Sequence, residues 1–238
     1  MDSQKLLGRL LYRDGLMLVI DKPAGLAVHR GPKGGESLED HFDALRFGLP
    51  RAPALAHRLD RDTSGCLVLG RHRKALAELG RLFKTGAVRK TYWAIVDGTP
   101  DTGEGVVELP LGRLDVSRGW WMKHDPNGQP AVTKWRVLGR NSAMTWLALE
   151  PLTGRTHQLR VHCAEMGWPI TGDAIYGNAP RHGGPVLHLH ARDIAVPLYK
   201  NRTAITVTAP VPPHMQERLA ACGWMGESEL SDTAVAKG

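Results

Sequence analysis

Short apolar runs, separated at close intervals by glycine and proline, constrain the fold of this chain more than any other feature. Runs of this length that are rich in Val, Ile and Leu and bounded by turn residues are typical of β-strands. The segment 16–29 predicts two strands around a Pro-Gly turn. Further strands are predicted at 66–69, 88–96, 132–138, 144–149, 186–189 and 204–209.

Four segments instead space their apolar residues at helical intervals. The firmest is 75–83, which ends near Gly86, and the others are 38–45, 156–166 and 215–221. The predicted apolar face of the third consists of Leu159, Cys163 and Met166. Strands in runs with helices between them predict an α+β fold with a mixed, mainly antiparallel sheet.

The chain has 238 residues and a hydrophobic content of 42%, enough for one large domain, which we place at 1–224. Within it, many glycines and prolines make 100–130 an irregular excursion. Residues 225–238 hold few large apolar groups and are predicted to be a disordered tail. The sequence has no run of 18 apolar residues and no cleavable signal pattern, so we expect a cytoplasmic monomer with no membrane span.

The cysteines and histidines do not predict a metal site. Cys66, Cys163 and Cys222 are far apart and odd in number, which indicates reduced, buried thiols. Among the eleven histidines, two pairs have spacings that could converge, but no cysteine or glutamate completes a recognisable zinc set. We therefore expect no metal and no cofactor.

The segment 57–65, His-Arg-Leu-Asp-Arg-Asp-Thr-Ser-Gly, carries the strongest sign of chemistry. Asp60 stands beside two arginines, in a turn that runs directly into the apolar run 66–69. A carboxylate used in catalysis needs a cationic neighbour that keeps it ionised and a rigid scaffold that aims it, and this segment offers both. The alternative is a surface turn whose charges are simply solvated before a core strand.

Positive charge is concentrated in residues 51–90, which contain ten lysines and arginines against three acids and so match the whole net charge of +7. Such a block favours binding of a polyphosphate chain such as nucleic acid. The alternative is a solvated helix face. The bases on or beside one predicted helix, which we expect to contact phosphates, are Arg71, Arg73, Lys74, Arg81 and Lys84.

Three further segments place polar groups inside otherwise structural stretches: Lys-Thr-Tyr at 90–92, Gly-Arg-Thr-His-Gln-Leu-Arg-Val-His at 154–162, and Leu-His-Leu-His-Ala at 187–191. Together with 57–65 they resemble the RluA/RsuA-type pseudouridine synthases, and more closely the RluA branch. Supporting matches are Lys-Pro-Ala-Gly at 22–25, Ala-Val-Thr at 131–133 and Gly-Asp-Ala-Ile-Tyr-Gly at 172–177.

This resemblance runs from about residue 10 to 215 and implies the pseudouridine synthase fold. That fold has a central, curved, mixed but largely antiparallel sheet with helices around it and an RNA-binding cleft across it. The 15 residues before 16 leave no room for a separate S4-like RNA-binding domain, so we expect a stand-alone catalytic domain. One departure is Gln129-Pro130, which stands where the family often has a basic pair.

By the same resemblance, Asp60 matches the catalytic aspartate, Tyr92 the tyrosine that stacks on the base, and Arg160 the arginine that pairs with the aspartate. We expect the planar guanidinium fork of Arg160 to hold Asp60 ionised and oriented, so that lysine would replace it poorly.

Four further positions have matches in the family. Leu189 matches an apolar residue beside the target base, and Arg58 an arginine that enters the RNA stack where the flipped nucleotide was. Lys22 and Lys90 also stand at family positions, where a structural or a phosphate-contacting role remains open.

The implied reaction converts uridine in structured RNA, tRNA or rRNA, to pseudouridine. The N1–C1′ bond breaks, the uracil turns while bound, and C5 joins C1′, with no redox change and no group donor. The carboxylate of Asp60 could attack C1′, add to C6 or assist removal of the C2′ proton. The RNA and the uridine that are modified remain open.

Two other functions compete with this reading. The first is a catalytically inactive RNA-binding protein of the same fold, although none of the motifs is damaged. The second is a hydrolase that uses Asp60 and releases free uracil. Asp62 is a poor second carboxylate for activating water, since nearby turn positions diverge.

Overall fold

A computed structural model describes residues 1–31, 34–115 and 121–227 of the chain. The described part contains four α-helices, α1 Ser3–Leu7, α2 Arg73–Lys84, α3 Gln158–Glu165 and α4 Pro213–Ala221, and a 3₁₀ helix, Leu38–Leu45. It also contains twelve strands: β1 Leu10–Arg13, β2 Met17–Lys22, β3 Ala54–Leu55, β4 Ser64–Gly70, β5 Arg89–Asp97, β6 Glu104–Glu108, β7 Leu111–Arg113, β8 Met122–His124, β9 Val132–Arg140, β10 Met144–Pro151, β11 Leu189–Val196 and β12 Ile205–Thr208.

Ten of these strands form one sheet, with the order β1-β2-β4-β11-β5-β10-β9-β6. The strand β12 pairs with β11 and β3 pairs with β4, while β7 and β8 form a separate hairpin. Every described pairing between two of these strands is antiparallel except that of β11 with β4. The prediction of an α+β fold with a mixed, mainly antiparallel sheet is confirmed.

The parallel contact between β4 and β11 explains the glycine that ends the segment 57–65. Gly65 pairs with Ala191 and has a φ of +104°, a region that side chains rarely adopt. A Cβ atom at this position would lie 2.3 Å from the carbonyl oxygen of Ala191. The turn that carries Asp60 therefore meets β11 at a place where only glycine fits.

Strand β5 shows how the sheet separates two cores. Trp93 and Ile95 pack with α4, whereas Ala94 and Val96 pack with α3 on the opposite face. Because side chains alternate along a strand, Lys90 and Tyr92 lie on the α3 face, as the period-two pattern predicted. That face carries the candidate site.

Several predicted elements differ from the structure. The second strand within 16–29 is wrong, because that stretch contributes only an isolated bridge between Ala27 and Ser37. The strand predicted at 186–189 begins instead at Leu189 and runs to Val196. Two of its polar residues, His190 and Arg192, are fully buried and break the apolar pattern that a strand would otherwise show.

The predicted irregular excursion at 100–130 contains β6, β7 and β8, although residues 116–120 lie outside the described part. These strands are three to five residues long and are flanked by glycine and proline, so their pattern resembles that of turns.

Helix α3 is buried on almost every side, and the single apolar face predicted for it is only partly correct. Leu159 and Cys163 are buried, but Met166 caps the helix and is exposed. Gln158 and His162 are buried as well.

The start of the predicted tail folds back onto the sheet. Glu227 accepts two hydrogen bonds from the guanidinium of the buried Arg192, at 2.9 and 2.7 Å, and one from the backbone N–H of Val211. The rest of the predicted tail, 228–238, lies outside the described residues. In the described part, no helix has the length and apolar character that crossing a membrane requires.

Candidate active site

A cleft of about 580 Å³ lies where the turn 57–63, strand β5, the end of α2 and the start of α3 meet. Among the residues that match functional positions of the family, the cleft brings together Asp60, Tyr92, Arg160, Leu189, Arg58 and Lys90, whereas Lys22 does not line it. Asp60 is the only acidic side chain among the described residues that line it.

The turn that carries Asp60 is held by the Lys-Pro-Ala-Gly loop at 22–25. The ammonium group of Lys22 is fully buried and donates to the carbonyl oxygens of Pro23, Leu26 and Arg61, each at 2.8 Å. Burial lowers the pKa of Lys22 to about 8. Gly25 and Arg61 also exchange hydrogen bonds, at 2.9 and 3.0 Å. Of the two roles left open for Lys22, the structure supports the structural one.

The carboxylate of Asp60 is 20% exposed and faces two basic groups. Its Oδ2 lies 3.9 Å from Nη1 of Arg160 and 3.8 Å from Nε2 of His157. Both separations exceed a hydrogen-bond length, so the carboxylate is attracted by these groups without being tied to either. The backbone carbonyl of Asp60 accepts a hydrogen bond from the N–H of Thr63, at 3.2 Å.

The planar fork of Arg160 engages Asp173 rather than Asp60, which corrects the geometry that we expected. Nε and Nη2 of Arg160 donate to the two oxygens of Asp173, each at 2.7 Å. The predicted proximity to Asp60 holds, but the bidentate contact does not, because Asp173 already occupies that side of the guanidinium.

Asp173 is itself buried and well supplied with donors. Burial acts to raise the pKa of this carboxyl, but the hydrogen bonds from Arg160 and from the backbone N–H groups of Tyr176 and Ile175 hold it below its usual value. The pair therefore stays charged, and Arg160 is fixed beside Asp60 with one nitrogen free to face it.

Tyr92 and Leu189 belong to the apolar lining of the cleft. They lie on the neighbouring strands β5 and β11, and Leu189 is buried. Burial and then the negative charge of Asp60 raise the pKa of the Tyr92 phenol, so the ring stays neutral. A flat, uncharged base could pack against these two side chains within reach of Asp60.

Cations surround the cleft. Arg58 is exposed at its edge, and Lys84 and Arg155 line it as well. Burial lowers the pKa of Lys90, which lines the wall. With one acid among these bases, the cleft is suited to a phosphate backbone.

The predicted basic helix contributes less to the cleft than its composition indicated. Arg71 precedes α2 and donates to the backbone carbonyls of Asp14, Arg46 and Phe47, so its guanidinium is used within the protein. Arg73 and Lys74 are exposed at the first turn of α2, whereas the cleft touches its last turn, about 15 Å further along the helix. Arg81 pairs with Glu78.

Asp62 is not among the residues that line the cleft with Asp60. It lines a separate cavity together with Lys22 and Ser64. Because Asp62 does not line the described cleft, that cleft does not hold the carboxylate pair that most glycoside hydrolases use.

Three side chains near Asp60 were not recognised as parts of the site. Asp173 and Tyr176 belong to the Gly-Asp-Ala-Ile-Tyr-Gly motif, to which we gave no role, and His157 belongs to the motif 154–162, in which we gave a role only to Arg160. The neighbouring Gln158 instead holds the start of the helix, since its side-chain amide forms hydrogen bonds with Val132, Thr133, Thr153 and Arg155. The sequence did offer one indication for His157, since it lies in the same motif as Arg160 and only three residues before it.

Known proteins have sequences that are similar to most of this chain. A family model described as RNA pseudouridylate synthase matches residues 16–165. An uncharacterized RNA pseudouridine synthase of Zymomonas mobilis is 43% identical over 206 residues, which cover 86% of this chain and 94% of the relative. The ribosomal large subunit pseudouridine synthase C of Vibrio cholerae is 37% identical, over 88% of this chain and 68% of the relative. The structure of human RNA pseudouridylate synthase domain containing 4 has a TM-score of 0.76 and 29% identity, over 92% of this chain and 95% of that one.

Proposed function

Because the chain belongs to the RNA pseudouridylate synthase family and is an RNA pseudouridine synthase, we propose that Asp60 is its catalytic group and that large-subunit ribosomal RNA is its substrate. The single observation that carries the first part is the position of Asp60 as the only acid in a described cleft that is otherwise basic and apolar. The relatives named for the large ribosomal subunit support the second part.

In the proposed reaction, a uridine leaves the RNA stack and its base packs between Tyr92 and Leu189. Extrusion of the uridine costs a few kcal/mol. Contacts of the RNA with Arg58, Lys90 and other basic side chains offset this cost. Arg58, exposed at the edge of the cleft, fills the gap in the stack. The carboxylate of Asp60 initiates cleavage of the N1–C1′ bond.

The detached uracil then turns within the closed pocket, and C5 bonds to C1′. The proton on C5 is lost and N1 gains one, so atoms and charge balance without an added reactant. Tyr92 and Leu189 exclude water, which would otherwise capture the sugar and release the base. Arg160, held by Asp173, supplies a fixed positive charge beside the reacting carboxylate.

One chain supplies every residue named in this reaction, so we propose that the protein acts as a monomer. We also propose that it acts in the cytoplasm, which the proposed ribosomal RNA substrate supports. We also propose that Arg73 and Lys74, exposed on α2, contact RNA phosphates outside the cleft.

The test of the catalytic role compares Asp60→Asn with Asp62→Asn, a matched control on the same turn. The substrate is RNA from a strain that lacks the gene, labelled with tritium at C5 of uridine. Tritium is released when C5 bonds to C1′. We expect Asp60→Asn to lower the single-turnover rate by about 10³-fold or more, with little change in RNA affinity, and Asp62→Asn to stay near wild type. Tritium release by Asp60→Asn at the wild-type rate would disprove the assignment.

The substrate is tested by mapping pseudouridines in large-subunit rRNA and in tRNA from cells with and without the gene. We expect a position in rRNA to lose the modification, and to regain it with the wild-type gene but not with Asp60→Asn. A loss confined to tRNA would reject ribosomal RNA as the substrate while leaving the role of Asp60 intact.

A further inference from the structure

His157 lies between Asp60 and a second hydrogen-bond partner. Its Nδ1 is 2.7 Å from the hydroxyl oxygen of Tyr176, and its Nε2 is 3.8 Å from Oδ2 of Asp60. The side chain is 12% exposed. Burial lowers the pKa of His157, although the charge of Asp60 opposes this effect. The ring at neutral pH is therefore neutral and carries one N–H.

Tyr176 determines which nitrogen carries that proton. The backbone N–H of Met122 donates to the Tyr176 oxygen at 2.8 Å, so the hydroxyl proton is free to point elsewhere. Within the described part of the chain, the hydrogen bonds of this hydroxyl are those with Met122 and His157. A hydroxyl that donates to Nδ1 places the ring proton on Nε2, which faces Asp60.

The backbone of His157 is held in a conformation that serves this placement. Its φ is +52° and its ψ is +18°, in the left-handed region that residues other than glycine rarely adopt. Such a conformation persists where the surroundings over-determine it, and it often occurs at functional sites. His157 occupies the position before α3, yet its side chain caps no backbone group of that helix. The ring points into the cleft instead.

Asp60 needs a donor of this kind because the fork of the neighbouring cation, Arg160, is engaged elsewhere. The fork of Arg160 is taken up by Asp173, and the aromatic ring of Tyr176 lies 5.2 Å from the Arg160 guanidinium carbon, which further restricts it. Arg160 thus supplies charge near Asp60, and only its Nη1, 3.9 Å from Oδ2, is left to face the carboxylate.

We propose that His157 is a positioning residue for Asp60, one whose neutral Nε2–H donates to Oδ2 once RNA closes the cleft, with Tyr176 selecting the tautomer. This inference rests on the catalytic role of Asp60 proposed above. Contacts of catalytic groups are often long in a free enzyme and shorten in the substrate complex, which accounts for the separation of 3.8 Å. The donor fixes one carboxylate oxygen, so the other faces the nucleoside.

Two substitutions separate a donor role from a merely structural one. His157→Asn suits the left-handed backbone, but its shorter amide cannot reach Asp60. His157→Gln fits that backbone less well, but its amide nitrogen extends about as far as Nε2. We expect Asn to lower the single-turnover rate by about 10- to 100-fold and Gln by less than about 5-fold, while the melting temperature ranks the two in the opposite order. The control is His182→Asn, at an exposed histidine, which should keep the wild-type rate.

A further comparison tests the role of Tyr176. Tyr176→Phe should slow the wild-type enzyme by several-fold, but it should have no additional effect on the rate in a His157→Gln background, because glutamine has no tautomer to select. RNA affinity should change by less than about twofold in each variant.

The substrate is again RNA from the gene-deleted strain, labelled at C5 of uridine. The inference is overturned if His157→Asn retains the wild-type rate, if Asn is faster than Gln, or if Tyr176→Phe slows the Gln variant as much as it slows the wild type. The Asp60→Asn variant is measured alongside. Full activity of that variant would reject the proposed function itself, whereas an inactive Asp60→Asn beside a fully active His157→Asn would reject only the role of His157.

Discussion

The buried pair of Arg160 and Asp173 gives a quantitative prediction for the substitution Asp173→Asn. The side chain of Asp173 is 1% exposed and accepts four hydrogen bonds, from Nε and Nη2 of Arg160 and from the backbone N–H groups of Ile175 and Tyr176. Asparagine keeps the shape but offers one acceptor oxygen and no charge. Arg160 would keep its charge in a dry site, with Asp60, 3.9 Å away, as the nearest described carboxylate.

Breaking a buried ion pair by neutralising one partner costs about 3–5 kcal/mol, because the other charge is left without compensation. For a domain of this size, 1 kcal/mol corresponds to about 2–4 °C, so we expect the melting temperature to fall by about 6–20 °C. Activity should fall as well, by about tenfold at temperatures where the variant is folded, because a guanidinium released from Asp173 can close onto Asp60 and hold it.

Urea unfolding and single-turnover tritium release measure the two effects. The unfolding midpoint should decrease with an unchanged dependence on urea concentration. In a double-mutant cycle, Arg160→Met should cost clearly less in the Asp173→Asn background than in the wild type, by about 2–3 kcal/mol. A loss of stability below about 1 kcal/mol, or additive single effects, would show that the pair does not hold Arg160 in the way described.

Three further predictions concern other parts of the molecule. Gly65→Ala should destabilise the protein by about 2–6 kcal/mol, because it adds backbone strain and a clash with β11. The control Gly80→Ala, on the open surface of α2, should be neutral or slightly stabilising. Equal melting temperatures of the two variants would contradict the packing described at Gly65. Burial lowers the pKa of His57 to about 3, so the unfolded chain binds more protons than the folded chain between pH 6.5 and 3. The stability that neutral His57 contributes above pH 6.5 is therefore lost on acidification, by up to about 1.4 kcal/mol per pH unit. As the pH falls, the urea midpoint of His57→Gln should decrease less steeply than that of the wild type. The double change Arg73→Gln and Lys74→Gln should reduce the slope of log Kd against log salt concentration by about 1–2, and an unchanged slope would remove α2 from the RNA contact.

Elements whose side chains alternate or repeat regularly could be predicted from the sequence. The face of β5 that carries Lys90 and Tyr92 and the buried stripe of α2 follow directly from such patterns. Strand β11 could not be predicted in the same way. His190 and Arg192 are buried there only because Ser64 and Glu227, 126 and 35 residues away, satisfy them. A pattern of residue types along the chain does not contain those partners.

The candidate site shows the same division. The motifs identified the side chains that converge on the cleft, since each carries an unusual chemical type within a structural stretch. They did not show which carboxylate the fork of Arg160 would engage, because Asp60 and Asp173 are both within reach in space and neither is adjacent in sequence. They also did not show that Arg71 would be used by the carbonyls of Asp14, Arg46 and Phe47 rather than by phosphates. In both cases several acceptors compete for one guanidinium group, and the acceptor that lies closest to it in the folded protein forms the hydrogen bonds.

The central place of β11 in the sheet affects the order in which the protein can fold during its synthesis. This strand stands between β4 and β5, which have no other described partner in common, so it joins two half-sheets. A nascent polypeptide that has emerged only as far as residue 188 holds Asp60 in one half and Tyr92 in the other, with nothing in the ladder to bring them together. The cleft therefore cannot form until β11 has been synthesised, and this long-range closure of the sheet is expected to be a late event in folding.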